Sequence, residues 1–242
     1  MIISLHSPKA GGDSFKEILR NHFGKGLKED YGDIPLNKTP VDAFAAADSS
    51  RKAINLMSYL YPLKGITCIH GHFVVWKYSG LIGRNNVHFV TWLRDPAERV
   101  ISHYHYWKRT YNPLASAPLH KRIVDEDWSL EKFCFSEEMR DVYSRLLWKV
   151  PIETFDFVGI TEHYEEDASF FAHRFLNTEL TSIPYRNAGP MSSNGPQDES
   201  MIKRLKEFHA ADYKIYEAAL NLRKSRASLG ADNFKTRTLN NN

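Results

Sequence analysis

Residues 5–15 read Leu5-His6-Ser7-Pro8-Lys9-Ala10-Gly11-Gly12-Asp13-Ser14-Phe15. The apolar run Met1 to Leu5 before them has the length of a short buried strand, and Ser14 to Phe23 has the spacing of a helix. A small-residue turn carrying a lysine joins the two. Strand, glycine turn and helix N-terminus together make an anion site, because unpaired backbone N–H groups and the positive end of the helix dipole converge on one spot. The predicted architecture is α/β: one domain with a central, mainly parallel sheet flanked by helices.

A Walker A loop ends in Gly-Lys-Ser/Thr, whereas here Lys9 precedes the glycines. A second motif lies further along. Val87 to Leu93 is an apolar, β-rich run, followed by Arg94-Asp95-Pro96-Ala97-Glu98-Arg99-Val100-Ile101-Ser102-His103-Tyr104. Asp95 suits a helix N-cap and Pro96 the first helical position. Arg94 then sits at the end of a strand, and helical spacing sets Glu98/Arg99, Ser102 and Tyr106 along one stripe. Arg94, by its planar fork, and Ser102, by its hydroxyl, suit a phosphate. The simpler reading is a capped helix with an Asp95–Arg99 ion pair, which leaves Arg94 and Ser102 without a role.

Between these motifs, Gly65 to Ile69 reads as a short strand leading into His70-Gly71-His72-Phe73. Histidines at the carboxyl end of a strand are candidate metal ligands, a candidate base, or polar loop residues. No Cys, Asp or Glu stands at a usual spacing to complete a metal site. An acid–base role fits the histidine pKa and the carboxyl edge of a parallel sheet.

Pro-Lys-x-x-Gly-x-Ser-Phe at 8–15 resembles the 5′-phosphosulfate loop of sulfotransferases that use 3′-phosphoadenosine 5′-phosphosulfate (PAPS). Arg-Asp-Pro-x-x-Arg-x-x-Ser-x-Tyr from Arg94 resembles their 3′-phosphate motif. The His-Gly-His step resembles the heparan/uronyl 2-O-sulfotransferase branch. Phe155-Asp156-Phe157-Val158-Gly159-Ile160-Thr161-Glu162 resembles the family's Phe-x-x-Val-Gly-x-Thr-Glu step. The resemblance implies a P-loop-like domain over residues 1–222 with PAPS as donor and 3′-phosphoadenosine 5′-phosphate (PAP) as product. It implies donor contacts from Lys9, Ala10, Gly11, Gly12, Asp13, Ser14, Phe15, Arg94 and Ser102. Lys9 and His72 would be catalytic, His72 as general base, with no metal and with a hydroxyl acceptor such as a saccharide. Arg186 and Asn187 are the candidates for the adenine end. One departure stands out: the family has Thr or Ser where this chain has Asp13, and a carboxylate repels phosphate. Asp13 is expected to cap the helix at Ser14 or to be neutralised by Lys9. If it does neither, a non-catalytic nucleotide- or glycan-binding relative is the alternative. A small-molecule kinase is a further one.

Composition suits an ordinary enzyme. The 242 residues are 42% hydrophobic, enough for one sizeable core. Two cysteines, Cys68 and Cys134, argue against a disulfide framework. A net charge of +3 gives no reason to expect nucleic acid as a partner. No apolar run is long enough to span a bilayer, and no secretory h-region precedes Lys9. Golgi members of the family carry an anchor and stem, so a cytoplasmic, bacterial-type protein or a trimmed form is expected. Lys108, Arg109, Lys121 and Arg122 flank Tyr104-His105-Tyr106-Trp107. This stretch is either a sugar-binding surface or a half-buried helix with a solvated face. Residues 24–50 read as a long connection with one short helix, Gln197 to Leu222 as the last helix, and 223–242 as a flexible tail.

Overall fold

The computed structural model describes residues 1–32, 34–60, 65–184 and 199–239. Five strands form the sheet: β1 (Ile2–Leu5), β2 (Leu27–Asp30), β3 (Cys68–Gly71), β4 (His88–Leu93) and β5 (Phe157–Ile160). Their order is β2-β3-β1-β4-β5 and every pairing is parallel, so the mainly parallel sheet expected is wholly parallel. The helices are α1 (Gly12–Phe23), α2 (Pro40–Leu60), α3 (Pro96–Thr110), α4 (Pro118–Asp125), α5 (Leu130–Cys134), α6 (Val142–Leu146), α7 (Tyr164–Phe171), α8 (Glu199–Phe208) and α9 (Ala210–Leu239).

All four residues of β1 are buried, as expected of a parallel strand covered on both faces. Alternation divides them. Ile2 packs with Phe15, Ile18, Trp92, Phe157 and Phe171 under α1 and α7. Ile3 and Leu5 pack with Ile69, Phe89, Leu93, Tyr143, Leu146 and Tyr216 on the other face. A separate apolar cluster joins α3, α4, α5 and α8 through Val100, Ile101, Ile123, Phe133 and Leu205.

Three expectations change. Residues 24–50 contain the edge strand β2, whose sequence Leu-Lys-Glu-Asp is polar, and the start of a 21-residue helix. The last helix is two, broken at His209, whose ring turns inward: Nε2 donates to the Cys134 carbonyl at 3.0 Å. The boundary expected at 222/223 falls inside α9. Arg223 and Arg226 pair with the buried Asp167, and Arg226 also donates to the Val158 carbonyl at 3.0 Å. The packed domain therefore reaches at least Arg226.

The edge strand explains the glycine between the two histidines. Gly71 lies opposite Asp30 in the β2–β3 register, and a Cβ on Gly71 would fall 1.9 Å from the Asp30 carbonyl oxygen. Gly71→Ala must therefore push β2 away. It is expected to destabilise the protein by about 1–3 kcal/mol, the usual range for overpacking, read as a lower midpoint in urea unfolding.

Candidate active site

The parallel register aligns the carboxyl ends of β1, β3 and β4, with Leu5 beside both Gly71 and Thr91. The chain leaves β1 for β2 on one side and β4 for β5 on the other. Loops that diverge in this way open a crevice at the strand ends. Residues 6–15, His72 and Arg94 all lie there.

The loop after β1 turns through two positive-φ residues, Lys9 (φ 63°) and Gly11 (φ 81°). Helix α1 starts at Gly12, not Ser14, and its N-cap is Gly11, which supplies no side-chain acceptor. Asp13 therefore lies inside the first turn and does not cap it. Its charge instead favours protonated Lys9 and protonated His72, so it sits electrostatically between the two. Ala10 and Phe15 are fully buried and Ser14 nearly so. Phe15 packs edge-on to Phe171 at 4.8 Å. Ala10 and Phe15 can reach a ligand only through main-chain groups. Gly12 packs directly under the His6 ring, where an added Cβ would lie 1.9 Å from Cδ2.

Lys9 carries its ammonium 4.0 Å from the centre of the Tyr106 ring. Burial first, opposed by Asp13, and then the nearby Arg109 and Arg94 lower its pKa to about 8. Lys9 and Arg109 face the same Tyr106 ring, and the Arg94 charge at the end of β4 is near enough to act on Lys9.

Arg94 is held at both ends. Its guanidinium binds Glu98 one turn on, at 3.1 Å. Its backbone N–H donates to the Tyr143 hydroxyl (3.0 Å), which donates to the Arg94 carbonyl (2.8 Å). Asp95 is the N-cap of α3, accepting from the amides of Ala97 (2.9 Å) and Glu98 (3.1 Å). Ser102 follows Glu98 by one turn on the same face, half-buried. Arg99 leaves that stripe. It is fully buried over the Tyr143 ring (5.6 Å), and none of its guanidinium nitrogens has a hydrogen-bond partner among the described residues. The Asp95–Arg99 ion pair expected from spacing is absent.

Three histidine rings stack at the end of β1 and β3, with His6 5.0 Å from His70 and 4.3 Å from His72. His70 is fully buried against the Ser4 hydroxyl (2.8 Å). Burial, then the His72 charge, holds its pKa down to about 3, so it stays neutral. His72 is half-buried, and its Nδ1 lies 2.5 Å from the His6 carbonyl. A carbonyl only accepts, so Nδ1 carries the proton and Nε2 keeps its lone pair. Burial lowers the His72 pKa, although the same carbonyl bond raises it. A neutral ring of fixed tautomer, with one basic nitrogen, is the form a general base needs.

His6 and Tyr31 belong to this cluster and were missed by sequence reasoning. Tyr31, just past β2, places its hydroxyl 2.8 Å from His6 Nδ1. Without the β2–β3 pairing, nothing marks Tyr31 as a neighbour of His6. The aromatic–basic stretch divides. Lys108 binds Asp127 (2.6 Å), Arg122 binds Glu138, Tyr104 donates to the Trp128 carbonyl (3.0 Å) and Trp107 stacks on His120 at 4.8 Å. Tyr106 and Arg109 turn toward Lys9. Arg186 and Asn187 lie outside the described residues.

Asp141, His209 and Asp212 also come within metal-ligand distance of one another. Their donor atoms are already used. His209 Nδ1 accepts from the Asp141 amide (3.3 Å), and Asp212 accepts from the amides of Tyr143 (3.1 Å) and Ser144 (2.9 Å). The group caps α6. Burial raises the Asp212 pKa to about 6, against the pull of Arg99. Both cysteines are buried, with thiols pushed up to about 12 by burial.

No family model matches the chain, and no curated protein matches it. Among solved structures it is similar to a sulfotransferase from Alicyclobacillus acidocaldarius. The identity is 14% and the TM-score 0.46, over 91% of this chain and 95% of that one.

Proposed function

We propose that this protein is a sulfotransferase that moves a sulfuryl group from PAPS to a hydroxyl acceptor, a saccharide in the reading favoured by the His-Gly-His pattern. The observation that carries the proposal is that the loop after β1, with Lys9, and the end of β4, with Arg94, open from adjacent parallel strands at one edge of the sheet and give two cationic positions on separate loops. Such a pair suits a ligand with anionic groups at two ends, and ATP carries its phosphates at one.

The residue chemistry supports the same reading. PAPS supplies the sulfuryl group as a mixed anhydride of sulfate and phosphate. Lys9 and the first-turn main chain of α1 hold the 5′-phosphosulfate, and Arg94 with Ser102 holds the 3′-phosphate. His72 Nε2 takes the proton of the acceptor hydroxyl as its oxygen bonds to sulfur. The bond from sulfur to the bridging oxygen breaks, and the charge left on the phosphate faces Lys9. Placement and charge stabilisation do the work here, as in phosphoryl transfer.

Two carboxylates oppose this fit, Asp13 beside Lys9 and Glu98 on Arg94. They favour the second reading, a nucleotide- or glycan-binding relative that does not transfer.

Calorimetry with PAP, against ATP and AMP, tests the site. Micromolar or tighter binding is expected, dependent on the 3′-phosphate and lost in Arg94→Ala. A preference for ATP, or no binding, rejects the donor assignment. Replacing the carboxylate in Asp13→Ser is expected to tighten PAP binding, since a hydroxyl donates where an anion repels. Unchanged affinity would mean that Asp13 does not face the ligand.

His72→Ala is expected to lower turnover by roughly two or more orders of magnitude, the range of general-base losses, while PAP binding persists. A base acts only when deprotonated, and burial keeps the His72 pKa below its ordinary 6.5. Turnover should therefore hold down to pH 6.5 and fall only below it. Lys9 must be protonated to hold phosphate, so PAP affinity should weaken as pH rises through about 8.

A further inference from the structure

The Arg94–Asp95 step is gripped by helix α9, although neither residue belongs to an element that α9 flanks in sequence. Tyr213 donates its hydroxyl to both Asp95 carboxylate oxygens, at 3.0 and 3.1 Å, and lies 3.3 Å from the Ala97 amide. Tyr216 donates to one Glu162 oxygen (3.1 Å), and the other oxygen accepts the Asp95 amide (2.9 Å). Asp212 accepts from the Tyr143 and Ser144 amides and so fixes the residue whose hydroxyl brackets the Arg94 main chain. Burial and the facing carboxylates raise the Tyr213 and Tyr216 pKa values, so both hydroxyls remain donors.

We infer that Tyr213 and Tyr216 are positioning residues for a phosphate-binding Arg94, and that this arm of α9 sets the protein's selectivity for a 3′-phosphate. The inference rests on the proposed donor site. A planar guanidinium grips a phosphate by two aligned bonds, so a small swing of its main chain loses the second bond while the charge remains. Glu98 already holds one face of the fork, which leaves Arg94 little slack. The 5′ end of a nucleotide would bind on α1 and Lys9, whereas the Tyr213 and Tyr216 hydroxyls bond to Asp95 and Glu162. Loosening α9 should therefore weaken one end of the ligand only.

The test uses Tyr213→Phe, Tyr216→Phe and the double variant, each of which removes a hydroxyl and keeps the ring. Calorimetry compares PAP with AMP, which lacks the 3′-phosphate. Hydrogen exchange follows the Arg94, Asp95 and Ala97 amides in the absence of ligand. The double variant is expected to lose about five- to tenfold in PAP affinity, the size of one or two lost hydrogen bonds, with AMP affinity unchanged and the three amides exchanging faster. Equal loss for PAP and AMP would reveal a merely structural role and overturn the inference. Unchanged PAP affinity in a protein that prefers PAP, or unchanged exchange, would also overturn it. A wild-type protein that does not prefer PAP over AMP would instead reject the donor reading, and the exchange rates would still decide whether α9 holds this step.

Discussion

Parallel pairing on both sides of β1 is the constraint from which the site follows. A strand hydrogen-bonded to β3 and β4 in the same direction must deliver its carboxyl end next to theirs. The loop at 6–15, His72 and Arg94 are thereby brought to one edge, although they lie in three separate stretches of the sequence. The His6 amide extends the ladder one step further, to the Gly71 carbonyl at 2.8 Å, which carries the alignment into the loop itself. Burial on both faces makes a register slip costly, because it would move apolar side chains of β1 to the wrong layer.

Electrostatics at that edge are governed by desolvation more than by pairing. His6, His70 and His72 all have pKa values lowered chiefly by burial, and for His6 and His70 the neighbouring rings add repulsion in the charged state. The outcome is a cluster of neutral rings that stack. Lys9 is lowered for the same reason, but Asp13 opposes the shift. An acidic residue in the first turn of α1 is favourable for the helix dipole and unfavourable for an anionic ligand. The same carboxylate thus suits the free protein and works against the site.

Helix starts near the site are set by both local and long-range polar contacts. Asp95 caps α3 from within the local sequence, while Asp212 caps α6 from far away. Asp167 accepts from the Ile160 amide (2.8 Å) and also pairs with Arg223 and Arg226, tying the end of β5 to α9. Both oxygens of Asp167 and of Asp212 accept at least one hydrogen bond, as burial of polar groups demands.

The elements whose reading rests on neighbours in sequence were legible. The Met1–Leu5 run, the glycine turn, the Asp95-Pro96 start of α3 and the His-Gly-His at the end of β3 follow from periodicity, capping and turn chemistry over a few residues. These fixed the α/β class and named Lys9, His72 and Arg94 as residues at strand ends. β2 was missed because an edge strand need not alternate, and Leu-Lys-Glu-Asp carries no apolar signal. Spacing placed Arg99 with Asp95, yet the packing of α5, α6 and α9 around α3 drew it inside. The Tyr31–His6 contact and the bond from Tyr213 of α9 to Asp95 join residues 25 and 118 positions apart. Local sequence determined which groups stand at the ends of strands. The order and register of the strands, which depend on burying both faces of β1 at once, decided which of those groups meet.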